Sequence, residues 1–345
     1  MSLYSEIMEQ PERVNALLAA QRPAVEQVAA EIKKSDPCFV FLAARGTSDN
    51  AGRYANYLFG AAHRLPLALA PPSLFTSSKR PPKLKHALVI GISQSGQSPD
   101  IISVLEEGAR QKCQSIAITN EPDSPLARVA DFVLDITAGI EEAVAATKTY
   151  TNELMTIAML SAALNADQSA WDGLSCVGDW MQQVLKLDDQ ISTIAQRYRY
   201  MNKTVVLGRG FNYCTAFEWA LKLKELTYIS AEPNSFADFQ HGPMAMVEQG
   251  FPVMVVSPSG AVASSSMEMI ARLKRDFQAE LVVISNDPAA LDFAQSPLPI
   301  PSDIPEWLTP LVGILPAQLF AYHLTLAKGF NAEQPRSIHK ITETN

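Results

Sequence analysis

An apolar run ending in a glycine turn, followed at a fixed distance by a second run and a second turn, occurs twice in this chain. Phe39–Ala43 leads into Arg45-Gly46-Thr47-Ser48, and His86–Ile92 leads into Ser93-Gln94-Ser95-Gly96-Gln97-Ser98. Thr204–Gly210 and Val253–Gly260 repeat the pattern: Gly46 and Gly96 lie 50 residues apart, as do Gly210 and Gly260. Leu281–Ser285 likewise matches Ser115–Thr119. One supersecondary plan is therefore used twice. Helical patterns lie between the strands: a segment with Tyr54, Tyr57 and Leu58, one over Pro99–Gln111, and, after a strand at Phe132–Ile136, a long one over about Ala143–Leu164. Strands alternating with helices build a parallel sheet, because parallel neighbours need a crossover. The expected fold is α/β, with two tandem doubly wound parallel-sheet domains flanked by helices. The expected organisation is a helical segment over residues 1–34 broken at Pro11, a first domain over 35–168, a helical connector over 169–198, a second domain over 199–330, and a tail over 331–345 closing on the site.

With 47% hydrophobic and 19% charged residues among 345, there is material for two packed cores. The net charge of −8 and the lack of a basic run with interleaved aromatics exclude a general nucleic-acid surface, so an anionic ligand needs a local site. Cys38, Cys113, Cys176 and Cys214 have neither CxxC pairing nor metal-ligand spacing, and read as reduced thiols of a cytoplasmic protein without a metal. The opening MSLYSEIMEQPERV has no apolar stretch, so no secretory signal is expected. Trp307–Ala327 carries no charge and is long enough to span a bilayer. Pro310, Gly313, Pro316, Gln318 and His323 interrupt it, and a buried helix starting near Pro316 is the better account, with no membrane partner.

The copies differ where a ligand would sit. In the first, Ser93, Ser95 and Ser98 offer hydroxyls, Gln94 an amide, Gly96 backbone freedom, and the next helix its positive end, which together form a phosphate cradle. Ser98 before Pro99 also suits a helix N-cap. In the second copy the loop reads SPSGAVAS, and Pro258 removes one N–H. Thr47 and Ser48 end the first strand, where open α/β sheets bind ligands, and equally suit capping.

Acid and base groups concentrate over Ala216–Met244. Glu218, Lys222 and Glu225 fall at i, i+4 and i+7 on a helix that is apolar nearly all round, either as a solvated stripe or as the wall of a polar cavity. His241 follows in a loop with Pro233, Asn234 and Gly242-Pro243. A carboxylate, an amine and an imidazole are the usual groups for proton transfer near neutral pH. Glu141 and Lys148 suit helix capping as well as ligand contact, and Lys340 alone reads as a terminal lysine.

Seven ordered motifs carry a resemblance: EIMEQP at Glu6–Pro11, GTS at Gly46–Ser48, SQSGQS at Ser93–Ser98, VAATK at Val144–Lys148, ALKLKE at Ala220–Glu225, QHGP at Gln240–Pro243 and QPR at Gln334–Arg336. With them the chain resembles the SIS (sugar isomerase) family, in the tandem form of the isomerase half of glutamine:fructose-6-phosphate aminotransferases, whose domains are flavodoxin-like. The resemblance implies that Thr47, Ser93, Gln94, Ser95 and Ser98 hold a sugar phosphate, with Ser48 and Ala146 also in the binding set. It implies that Glu225 moves a proton between C1 and C2 with Lys222 beside it. His241 would open the sugar ring from the neighbouring subunit of a homodimer, and Lys340 would be able to form a Schiff base with a keto-sugar. No cofactor is implied.

Two departures shape the expected function. Ala146 stands where the family's synthases have serine, and Arg45 where they have a small residue. The family's glutamine-hydrolysing domain, with its N-terminal cysteine, does not precede MSLYSEI in this sequence. The resemblance then implies an isomerising glucosamine-6-phosphate deaminase yielding fructose 6-phosphate and ammonia. Alternatives are another amino-sugar-phosphate deaminase/isomerase, a fructosamine-phosphate deglycase or a plain aldose–ketose isomerase. From a different class, a non-catalytic sugar-phosphate regulator is the alternative.

Overall fold

The structure, a computed structural model, describes residues 2–338 and 340. Ten strands form two sheets. In the first, β1 (Phe39–Ala43), β2 (Leu67–Leu69), β3 (Ala87–Ile92), β4 (Gln114–Thr119) and β5 (Phe132–Asp135) lie in the order β2-β1-β3-β4-β5. In the second, β6 (Lys203–Gly208), β7 (Ser230–Ser235), β8 (Pro252–Val256), β9 (Glu280–Ser285) and β10 (Ser296–Pro299) lie in the order β7-β6-β8-β9-β10, the same order repeated. Every pairing is parallel. This is the doubly wound 2-1-3-4-5 arrangement, whose strand order reverses beside the first strand and opens a crevice at the carboxyl ends.

The central strands explain why the repeat is legible. All residues of β3 and of β8 are buried, as helices on both faces demand, so each reads as an unbroken apolar run. The short edge strands β2, β7 and β10 are absent from the sequence-based expectation. β7 contains Pro233, paired with Val206, and β10 is Ser-Pro-Leu-Pro; proline is tolerated in a sheet where one side of the strand needs no donor.

The chain divides into two compact units. The N-terminal unit comprises Glu12–Glu141 and Lys148–Cys176, with Lys340. Its core packs Phe41, Val89, Ile101, Val104, Leu105 and Leu126 around the first sheet. The helix Lys148–Asn165 is buried from Lys148 to Ala163. The C-terminal unit comprises the residues up to Pro11, Glu142–Thr147 and Val177–Ile338, with a core of Val205, Val255, Phe236, Ile270, Leu273 and Val283.

Three helix boundaries differ from expectation for identifiable reasons. The long helix begins at Lys148 rather than Ala143, because in the C-terminal unit the buried Glu6 carboxylate accepts the backbone N–H groups of Glu142 (2.6 Å) and Ala143 (3.3 Å) and holds them out of a helix. The apolar run forms the helix Thr309–Ala327, which starts at Pro310 in its first turn and carries Pro316 inside. Glu306–Ala327 is long and apolar enough to cross a membrane, yet 78% of its most apolar window is buried in the fold, where Phe320 meets Trp219 edge to face at 5.8 Å. Near the start, the helices Leu3–Met8 and Gln10–Ser35 meet at Glu9, and Pro11 sits in the first turn of the second, where its missing N–H costs nothing.

Candidate functional site

In the N-terminal unit, β3 delivers the loop Ser93–Ser98 to the start of the helix Pro99–Arg110. Gly96 has φ +61°, and a Cβ there would lie 2.0 Å from Ser124 Oγ, so no side chain fits. Gly96 donates its N–H to Ser93 Oγ at 3.2 Å, and Gln97 donates to Ser95 Oγ at 3.3 Å. Ser98 holds the N-cap position but makes no capping bond; its hydroxyl lies 3.4 Å from that of Ser93. The hydroxyls therefore converge inside the loop instead of closing the helix end. Arg45, just after β1, pairs with Asp100 in the first turn of that helix at 2.7 Å, which gives that buried carboxylate a counter-charge.

A cavity of about 450 Å³ opens on this loop, within the usual range for a small ligand. Gln94, Ser95 and Gln97 line it from the cradle, Asn120, Glu121, Asp123 and Ser124 from the loop after β4, and Ile140, Glu141 and Lys340 from elsewhere in the unit. Among the described residues, Lys340 is the one cation in this lining. Its Nζ lies 2.5 Å from the buried Glu141 carboxylate. Of the residues singled out in the sequence, the fold thus joins Gln94, Ser95 and Lys340 in one cavity. Ser48, by contrast, gives its hydroxyl to buried Glu153 at 2.8 Å, and Thr47 is half-buried in the first turn of the helix Gly46–His63.

The C-terminal unit repeats this plan with an internal occupant. Ser257 N–H bonds Ile284 O as Ser93 N–H bonds Ile118 O. Arg209 reaches Ser265 in the helix Ala263–Arg275, as Arg45 reaches Asp100. At the glycine turn, however, the chain places a carboxylate of its own, Glu306. Its carboxylate accepts Ala261 N–H at 2.9 Å, and a Cβ on Gly260 would lie 2.1 Å from its Cδ. The second loop therefore differs from the first twice, by Pro258 and by a carboxylate 45 residues beyond Ala261, and sequence inspection finds only the first.

The charged stripe resolves as a buried ion triad on the helix Tyr213–Thr227. Lys222 Nζ lies 2.6 Å from Glu225 Oε2 and 3.3 Å from Glu218 Oε1. Burial pulls the Lys222 ammonium toward neutrality, but the charges and hydrogen bonds of Glu218 and Glu225 outweigh it and the net shift is upward. Lys222 is thus held in its ammonium form between the two carboxylates. Glu218 is fully buried, whereas the Glu225 side chain is 25% exposed and is the member of the triad that a substrate can reach. The solvated-surface alternative for this stripe is excluded. In the same unit Arg336 of the QPR motif stacks over Tyr228 at 4.3 Å and over Phe330 at 5.1 Å, and its N–H bonds Tyr228 Oη, anchoring the tail to the end of the Glu225 helix.

His241 caps the helix Phe236–Gln240 and is exposed; among the described residues its imidazole has no hydrogen-bond or ion-pair partner. Ala146 lies half-buried in the segment that Glu6 holds. Sequence reasoning missed Gln97, Ser124 and Glu306, left Glu141 undecided, and gave no role to Glu6. Among the described residues there is no group of three or more His, Cys, Asp or Glu able to hold a metal ion.

Comparison with known proteins matches the SIS domain model to residues 31–163 and again to 198–328. A glutamine–fructose-6-phosphate aminotransferase (isomerizing) of Methanothermobacter thermautotrophicus is 33% identical over 98% of this chain, and the match spans 56% of that protein's length. The chain thus spans little more than half of such curated relatives. Among solved structures, the C-terminal domain of glucosamine-fructose-6-phosphate aminotransferase from Francisella tularensis superposes with a TM-score of 0.86 at 27% identity, covering 96% of this chain and 98% of that one. A Silicibacter pomeroyi protein provisionally described as a phosphosugar isomerase superposes with a TM-score of 0.85 at 30% identity, covering 96% of this chain and all of that one.

Proposed function

Because the chain belongs to the SIS-domain family, we propose that it is a sugar-phosphate isomerase acting on an amino sugar, converting glucosamine 6-phosphate and water to fructose 6-phosphate and ammonium. The observation that carries the reading is the Lys222–Glu225 pair: a buried ammonium fixes a carboxylate that alone of its triad reaches solvent. Enolisation needs such a base, and no redox step.

In this reading the phosphate is held by the Ser93–Ser98 loop, with Thr47 beside it, remote from the reacting carbons. Binding energy spent there orients C1 and C2. His241, supplied by a second copy in a homodimer, assists ring opening. Glu225 takes the C2 proton and returns it to C1, so that the aldehyde becomes an alcohol and the C2 amine a ketimine. Water then replaces nitrogen at C2 and ammonium leaves. Lys340, in the cavity on the cradle, contacts the sugar.

Purified protein given glucosamine 6-phosphate should release ammonium and fructose 6-phosphate in equal amounts. Isomerised sugar without ammonium would reject deamination and leave an aldose–ketose isomerase; tight binding without turnover would make the chain a sugar-phosphate regulator. Glu225→Gln should lower kcat by about 10³-fold, the scale of a lost general base, while the affinity for the sugar phosphate stays within a few-fold of the wild type.

A further inference from the structure

Glu141 is a buried carboxylate in the lining of the cradle cavity, and it binds more than the helix end it caps. Its side chain is fully buried, Thr149 donates to it twice, from N–H at 3.2 Å and from Oγ1 at 2.8 Å, and Lys340 Nζ lies 2.5 Å from Oε2. The Thr149 bonds come from the first turn of the helix Lys148–Asn165, which is itself buried, so the carboxylate is fixed by a rigid element. Lys340 has the opposite character: it is 199 residues away in sequence and its side chain is partly exposed. A long flexible amine that must meet a sugar loses much rotamer freedom in doing so. A fixed, desolvated carboxylate at 2.5 Å removes that freedom before the substrate arrives.

From this geometry we infer that Glu141 is a positioning residue, holding Lys340 in the cradle cavity through a carboxylate anchored on Thr149. The inference rests on the reading of Lys340 as a substrate contact. It assigns no chemical step to Glu141: the carboxylate that takes a first-turn N–H of the helix Lys148–Asn165 also lines the cavity and holds Lys340 there. It also makes the arrangement directional: the carboxylate is fixed by the fold, and the lysine is fixed by the carboxylate.

Trypsin tests the placement without any assay of turnover, because it cleaves after Lys340 only when that side chain leaves Glu141 and enters the protease's own pocket. With the full chain, release of the peptide Ile341–Asn345 is followed by mass spectrometry. Glu141→Gln should speed this release by about 10-fold, with cleavage after Arg336 unchanged. Thr149→Val, which keeps the carboxylate and removes one anchor, should move the release in the same direction by less, and serves if Glu141→Gln does not fold. Release at the wild-type rate in the folded variants overturns the inference. In turnover, Glu141→Gln should lower kcat with little change in KM, and combining it with Lys340→Met should add nothing to Lys340→Met alone. Full additivity of the two overturns it too. If the wild type turns over no amino sugar, the function proposed above fails, and the peptide release still decides whether Glu141 holds Lys340.

Discussion

Lys222 shows how one residue's surroundings set its role. In isolation a lysine beside two glutamates reads as a surface network, worth little. Here the ammonium is fully buried between Glu218 and Glu225, and replacing it leaves the fully buried Glu218 without its counter-charge. Lys222→Met should therefore cost about 3–5 kcal/mol of stability, the range for breaking a buried ion pair from one side, measured by denaturant unfolding. The pH dependence follows from the same shift. The folded-state pKa lies above the ordinary lysine value of 10.5, so the stabilisation is complete below that value and is lost as the pH rises through the higher folded-state value. Melting temperature should fall more steeply in the wild type than in Lys222→Met above pH 10.5. The spacing of Glu218, Lys222 and Glu225 was legible in the sequence; which of the two carboxylates reaches solvent was not, because that depends on what packs over each end of the helix.

At the scale of elements, the sequence is most informative where both faces are covered. β1, β3, β6 and β8 read as apolar runs because each is sandwiched between helices. Of the four edge strands, β7 and β10 carry proline and polar residues and β2 is only three residues long, and these left no signal, whereas the apolar β5 was legible. Long-range partners are the other limit. Nothing local to SPSGAVAS announces that Glu306 will sit on its glycine turn, just as nothing local to IEEAVAATK announces Lys340. Pro258 alone predicts a weakened cradle; Glu306 makes it an occupied one, whose charge would repel an incoming phosphate. Glu306→Ala removes the acceptor of Ala261 N–H in front of the helix Ala263–Arg275 and should lower stability by about 1 kcal/mol, the usual loss for a helix-end acceptor. Gly260→Ala should be more damaging, since its Cβ would lie 2.1 Å from Glu306 Cδ at a φ of +153°. Thermal unfolding of the two variants side by side checks the order.

For the whole molecule, the repeat predicted two sheets of one plan, and the two sheets have the same strand order. It also marked where the copies diverge: one keeps an open serine-rich loop over a cavity, and the other fills its loop with Glu306 and carries the buried triad. In the function proposed above, a single chain supplies one phosphate loop and one enolisation base, while its remaining acid–base group, His241, is exposed and without a partner among the described residues. The proposed homodimer, in which His241 serves the neighbouring copy, gives that imidazole a task and yields a test by complementation. Glu225→Gln and His241→Ala, each nearly inactive alone, are unfolded, mixed in equal amounts and refolded. Random pairing makes half the dimers mixed, and in each mixed dimer one of the two sites combines an intact Glu225 with an intact His241. Activity should then recover to about a quarter of the wild-type value, as closed two-fold symmetry requires. If His241 instead served its own chain, every site in every dimer would lack one of the two groups, and mixing would restore nothing.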